Sequence, residues 1–133
     1  MPVASRLNPL PVDDRYAGIY SHGVVADQHR TLYVSGQIGM DEDGSLPADF
    51  GAQCRNAIER VITVVRDAGL ERRDIVKMGF FLVRRADMPE LVRIRQSMLD
   101  GVSPAVTTVL VAGLVDQQWL VEVEAIAVES IVR

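Results

Sequence analysis

Glu122 and Glu124 stand two residues apart in Val121-Glu122-Val123-Glu124-Ala125-Ile126-Ala127-Val128, a strand-like run. A strand's period of two puts both carboxylates on one face, about 7 Å apart. Taken alone, such a pair reads as the solvated edge of a strand. At a partly buried place, the same carboxylate would have a raised pKa and serve as a general base or water orienter. Upstream, Ser103-Pro104-Ala105-Val106-Thr107-Thr108 offers two hydroxyls, Thr107 and Thr108, beside an apolar Val106.

The other reactive side chains read more plainly. His22 is a loop histidine able to carry a proton, and His29 is a turn residue. Arg84 and Arg85 follow a strand and form a solvated rim, with replacement of a missing pocket cation as their sharper role. Cys54 lies on an apolar helical stripe and is a small core residue, since a reactive thiol needs an electropositive, exposed setting. Trp119 begins the last strand as a core or subunit contact. Gly36, Gly39 and Gly44 do not have phosphate-loop spacing and no Lys-Ser/Thr pair follows them. Two histidines without suitable spacing give no metal site.

The 133 residues suit one domain, 1–133. Hydrophobic residues make up 48% of the chain, enough for a core. A net charge of −4 and scattered aromatic residues argue against a nucleic-acid partner. One cysteine excludes an intrachain disulfide, and the expected location is cytoplasmic. No apolar signal segment or membrane span is expected.

Residues 1–19, with Pro2, Pro9 and Pro11, are expected to form an irregular arm. A short strand at Gly23–Ala26 pairs as a hairpin with Thr31–Ile38, whose residues alternate, through a turn at Asp27–Arg30. Asp41-Glu42-Asp43-Gly44 is a turn. Phe50–Ala68 is a helix with the stripe Cys54, Ala57, Ile58, Val61, Val65 and Ala68, capped by Asp49 and stopped by Gly69. Ile75–Val83 is an interior strand, with Gly79 marking a close approach or a bulge. A second helix opens at Asp87-Met88-Pro89-Glu90 with capping-box spacing and buries Leu91, Ile94, Met98 and Leu99. Strands at Val106–Val111 and Trp119–Val128 complete the order β-β-α-β-α-β-β. Two helices then cover one face of a mixed sheet. The second face, filled by positions such as Val76, Met78, Val121 and Val123, calls for self-association in a closed ring.

The ordered set Tyr20-Ser21-His22-Gly23, Val34-Ser35-Gly36-Gln37-Ile38, Gln53 to Ala57, Asp74-Ile75-Val76-Lys77, Ser103-Pro104-Ala105 and Glu122 to Val128 resembles the Rid family, the reactive intermediate deaminases or YjgF-like proteins. The resemblance runs from about Tyr20 to Val128. It implies an α+β, chorismate-mutase-like mixed sheet in a homotrimer, with an inner barrel, outer helices and three clefts between subunits that bind a small molecule. It implies hydrolysis of enamines and imines with no metal or organic cofactor. Glu122 would position or activate water, Tyr20 would stand at the pocket mouth, and Ser35 and Gly36 would supply hydroxyl and backbone contacts. Glu124, read from its own chemistry, is structural through a hydrogen bond or an ion pair, and which of the two acids faces the cleft is left open by the sequence.

The family's active members carry an arginine after the Pro-Ala pair that clamps the substrate carboxylate by a bidentate, charge-assisted pair. Val106 stands at that place, and Val92 stands where an asparagine often faces the ligand. The expectation is a divergent deaminase-like hydrolase with weak or no activity on 2-aminoacrylate-type substrates, in which Thr107 helps to bind a neutral polar group. The alternatives are a trimeric metabolite-binding protein without turnover and, on this acidic chain the weaker reading, an endoribonuclease.

Overall fold

The computed structural model describes residues 4–11, 21–26 and 30–130. Six strands form one sheet: β1 (Ala4–Leu7), β2 (Gly23–Ala26), β3 (Thr31–Ile38), β4 (Ile75–Leu82), β5 (Ala105–Leu110) and β6 (Val121–Val128). Their spatial order is β1-β2-β3-β6-β4-β5. Only β4 and β5 run parallel, joined by the crossover helix α2 (Met88–Leu99). Helix α1 is Phe50–Asp67. This is the expected mixed sheet with two helices.

Helix α1 forms where the stripe predicts it. Asp49 is in an extended conformation and its side chain accepts from the Ala52 amide, satisfying one orphan donor of the first turn. Gly69, at φ +79°, follows the last turn. Cys54, Ala57, Ile58, Val61 and Val65 are fully buried, and the helix packs on β3 and β6. The sheet residues beneath alternate: Val121, Val123, Ala125 and Ala127 of β6 are buried towards the helices, and Glu122, Glu124, Ile126 and Val128 take the other face.

Four sequence expectations change. The segment expected to be an irregular arm contains β1, which pairs antiparallel with β2 from Ala4↔Ala26 to Leu7↔Gly23. Four residues are too few to show alternation, and Pro9 lies just beyond the strand at a sheet edge, where proline is tolerated.

Asp87 does not cap α2 with its side chain. Its carboxylate instead accepts two hydrogen bonds from Arg84, Nε at 2.8 Å and a terminal nitrogen at 3.1 Å. Nor does Glu90 close a capping box there. It reaches across to the start of α1, where a Cβ on Gly51 would meet Glu90 Oε2 at 2.5 Å.

The residues expected on the second sheet face are also different. Met78, Val121 and Val123 lie fully buried on the helix side, while Val76, at a register shift between Ile75 and Lys77, is uncovered at 45% exposure. The uncovered face is made by Tyr33, Lys77, Phe81, Val109 and Ile126, which pair laterally in register with one another and with the acids of β6. Tyr33 is 48% exposed and Val109 40%.

Candidate functional site

The bulge in β3 is the first element of the site. Pairing with β6 follows Val34↔Ala125 and resumes at Gln37↔Val123, so Ser35 and Gly36 fall in a register shift. Polar bonds hold the bulge. The Ser35 hydroxyl donates to the Ser21 carbonyl, and the Ser35 amide donates to the His22 carbonyl at 2.7 Å. Gln37 Nε2 donates to the Ser35 carbonyl at 3.1 Å, and Arg60 Nε on α1 donates to Gln37 Oε1 at 3.3 Å. The Ser35 proton is thus used within the fold; lone pairs of its oxygen remain for a ligand.

Glu122 is the second element. Its carboxylate lies over Gly36, where a Cβ would come within 2.7 Å of Glu122 Cδ. Glu124 does the same on the other flank, over Gly79 of β4, where a Cβ would meet Glu124 Cγ at 3.0 Å. Gly79 therefore marks a close approach, and the bulge of β4 lies elsewhere. Each acid rests on a glycine of a neighbouring strand, because only a missing side chain leaves room on the flat of a sheet. Burial, and then the charge of Glu124, holds the Glu122 carboxyl above the ordinary glutamate range. Glu122 is half-buried and Glu124 exposed.

The remaining expected residues divide between two faces. Thr107 pairs with Gly79 in register and joins the row of Glu124 on the uncovered face, where its Oγ1 accepts from Lys77 Nζ at 2.7 Å. Val106 faces the other way: it is opposite Met78 and packs against the core on the helix side. Thr108 shares that side. Within one chain, β4 stands between Val106 and Glu122, so the structure does not bring them into one pocket. Tyr20 and His29 lie outside the described residues.

The candidate replacement cations do not reach this face. Arg84 is occupied by Asp87, and Arg85 is exposed in the turn before α2. His22 is fully buried, and its pKa is lowered by burial and then by the charge of Arg60, which keeps the ring neutral. Sequence reasoning missed Lys77 on the acid-bearing face; its alternation with Gly79 and Phe81 was the available signal. Among the described residues, no three His, Cys, Asp or Glu side chains converge as a metal site requires, and no helix is long and apolar enough to cross a membrane.

A glycine-seated carboxylate of raised pKa, next to a second acid on a half-apolar face, can accept a proton from water and orient it. The profile of the family described as Endoribonuclease L-PSP matches residues 13–129. The chain is 32% identical over 115 residues to the Rattus norvegicus protein named 2-iminobutanoate/2-iminopropanoate deaminase, covering 85% of this chain and 82% of that one. It is 34% identical over 115 residues to the Escherichia coli K12 protein of the same name, covering 84% and 88%. Among solved structures, E. coli TdcF with bound serine is similar at a TM-score of 0.79 and 31% identity, over 95% of this chain and 96% of that one. The E. coli YjgF gene product is similar at 0.82 and 30%, over 95% and 99%.

Proposed function

The chain belongs to the Endoribonuclease L-PSP family, also called YjgF or Rid, and on that footing we propose that it is a divergent deaminase-like hydrolase of a small imine or enamine. The observation that carries this reading is the seating of Glu122 over Gly36. Two relatives named as deaminases of imino acids support the reaction class.

In the proposed reaction, water adds to the imine carbon as the Glu122 carboxylate takes its proton. The C–O bond forms, the C=N pair moves to nitrogen, and Glu122 returns the proton to that nitrogen, giving the carbinolamine. The carbinolamine then collapses: Glu122 carries the hydroxyl proton to the nitrogen, the C=O bond forms as the C–N bond breaks, and ammonia and a carbonyl compound are released. Gly36 and Ser35 shape the floor beside Glu122. Val106 and Thr107 belong to a different part of the same chain, and we place the complete pocket between copies in a homotrimer, where the β5 edge of one chain meets the β3–β6 face of the next. The uncovered apolar positions Phe81, Val109 and Ile126 are the residues such a ring would enclose.

Val106 lies in apolar contact and carries no charge. Activity on 2-aminoacrylate-type substrates is accordingly weak or absent. The same observation favours the second reading, a metabolite-binding protein without turnover. The endoribonuclease reading is opposed by Glu122 and Glu124, which would repel a phosphodiester. The test is ammonia release from an imine generated in the assay, comparing the natural chain with Glu122→Ala. Loss of release in the variant supports the hydrolase; no release by the natural chain with retained ligand binding supports the binding protein.

A further inference from the structure

Among the described residues, four cations are half-buried: Arg60, Arg72, Lys77 and Arg95. Three of them are satisfied by hydrogen bonds: Arg60 to Gln37, Arg72 to the Met98 carbonyl at 2.7 Å, and Lys77 to Thr107. Arg95 differs. Its guanidinium sits 5.7 Å from the centroid of the Phe80 ring, and neither a hydrogen bond nor a carboxylate engages it among the described residues.

The reason lies in the sequence of α2. The residues three and four positions from Arg95 are Leu91, Val92, Met98 and Leu99, all apolar. No acid therefore stands at the spacing from which a helix neighbour could pair with it. Arg95 stands at the margin of an apolar stripe and is held by an aromatic face, which orients a planar guanidinium while leaving its edge donors unspent.

The position of Phe80 says where those donors are. Phe80 is opposite Thr108 on the edge strand β5, one strand spacing of about 4.8 Å away. Val106 and Thr108 share the helix-side face of β5 next to it. Arg95 thus holds its fork over Phe80 on the helix side of the β4–β5 pair, the same side as an apolar valine and a threonine hydroxyl of β5. The relatives named above act, by name, on 2-iminobutanoate and 2-iminopropanoate, and one structural neighbour binds serine. All of these carry a carboxylate.

We propose that Arg95 is a binding residue that receives the carboxylate of a small organic acid at the α2–β5 edge, with Thr108 beside it. The assignment deepens the proposed function and rests on it for the choice of ligand. The anion receptor then lies on α2 instead of β5. A carboxylate approaches from the helix side, so an acid of the same length is held in a different place from one clamped by an arginine on the strand, and binding here does not by itself restore turnover of 2-aminoacrylate-type substrates.

The probe is 2-oxobutanoate, titrated calorimetrically into the full chain, with butan-2-one as its uncharged counterpart. The natural chain is expected to bind 2-oxobutanoate. Arg95→Gln, which keeps most of the packing over Phe80, is expected to weaken it at least about ten-fold and to leave butan-2-one unchanged. Arg95→Lys retains the charge but loses the fork, and is expected to fall between the two; it serves as the second variant should the glutamine chain not fold. Binding by Arg95→Gln within about two-fold of the natural chain, or no binding by the natural chain, overturns the assignment. Binding is read without turnover, so the two readings fail separately. A chain that releases no ammonia yet loses 2-oxobutanoate with Arg95→Gln keeps the receptor and loses the hydrolase. One that deaminates with Arg95 irrelevant does the reverse.

Discussion

The carboxylate of Glu122 fills the space above Gly36 where any other residue would place its Cβ: an added methyl would lie 2.7 Å from Glu122 Cδ and 3.0 Å from Cγ. Gly36→Ala must therefore displace the acid, and the group displaced is the far end of a flexible side chain. The cost to stability is small, within about 1 kcal/mol, while ammonia release falls at least about ten-fold as the base leaves its seat. Gly39→Ala is the contrast. Its Cβ would come within 2.4 Å of Gln53 Cα and 2.4 Å of the Gln53 carbonyl oxygen, which are helix backbone and cannot swing away. It loses stability, by about 1–3 kcal/mol or more. Thermal unfolding and turnover of the two variants separate a seat for a catalytic group from a packing contact.

Glu122 also sets a pH dependence. Burial, then the charge of Glu124, raises its pKa in the folded chain. Between the ordinary glutamate value and the raised one, the native state holds a proton that the unfolded chain has released, so this group's contribution to stability falls as pH rises through that window. Glu122→Gln escapes that loss: it matches the natural chain below the ordinary glutamate pKa and is the more stable protein above the window. Activity runs the opposite way, since a base must be ionised. Its acid limb is expected above the usual glutamate range, and Glu124→Gln is expected to move that limb to lower pH. Urea unfolding at several pH values and a pH–rate profile check the two halves independently.

These relationships were legible in the sequence to different degrees. The period of two in Thr31–Ile38 and the three-and-four spacing from Cys54 to Val65 declare β3 and α1, because each buries a single face. The pairing of Glu122 with Glu124 on one face followed from the same rule. That each would rest on a glycine two or more strands distant in sequence did not, since lateral register is a tertiary property. Strand β1 was hidden because four residues carry too little pattern. Asp87 and Glu90 have capping-box spacing, but Arg84 draws the first carboxylate away and the start of α1 receives the second; a local rule lost to nearer charges. Resemblance points to Val106, yet the side of β5 it takes depends on its pairing with Met78. Arg95 had no motif at all: its significance is an absence of acids around it, visible only once Phe80 is beneath it.

Cys54 is expected to be inert. It is fully buried, and burial, with the charge of Glu90 next in effect, pushes its thiol up to about 12. The thiolate that reacts with a disulfide reagent is then scarce in the native state. Labelling with such a reagent should be negligible in buffer and complete in denaturant; rapid native labelling would contradict the packing of α1 described above.

Gln53 ties two segments to α1 through three hydrogen bonds. Its Nε2 donates to the Pro47 carbonyl at 2.8 Å and to the Gln118 carbonyl at 3.2 Å, and its Oε1 accepts from the Leu120 amide at 2.9 Å. Leu120 is two residues before Glu122, so the same amide holds the entry to β6. Gln53→Leu fills the space but leaves those backbone groups without their partner, at a cost of about 2–3 kcal/mol. The melting temperature should fall by roughly 10 °C. A variant that melts with the natural chain would show that water replaces all three bonds.

The uncovered sheet face governs assembly. Tyr33 and Val109 are nearly half exposed in one chain, so Tyr33→Lys or Val109→Lys changes that chain's own stability by no more than about 1 kcal/mol. In a closed ring of three, the same residues would face the interior, and a lysine introduced from each copy must be desolvated among apolar neighbours, at several kcal/mol. Light scattering after size exclusion is expected to give three times the 14.6 kDa chain mass for the natural protein and the mass of one chain for the variants, with helix and strand content unchanged. A natural protein with the mass of one chain removes the ring and with it the inter-subunit pocket. A ring that tolerates both lysines places the interface on another surface.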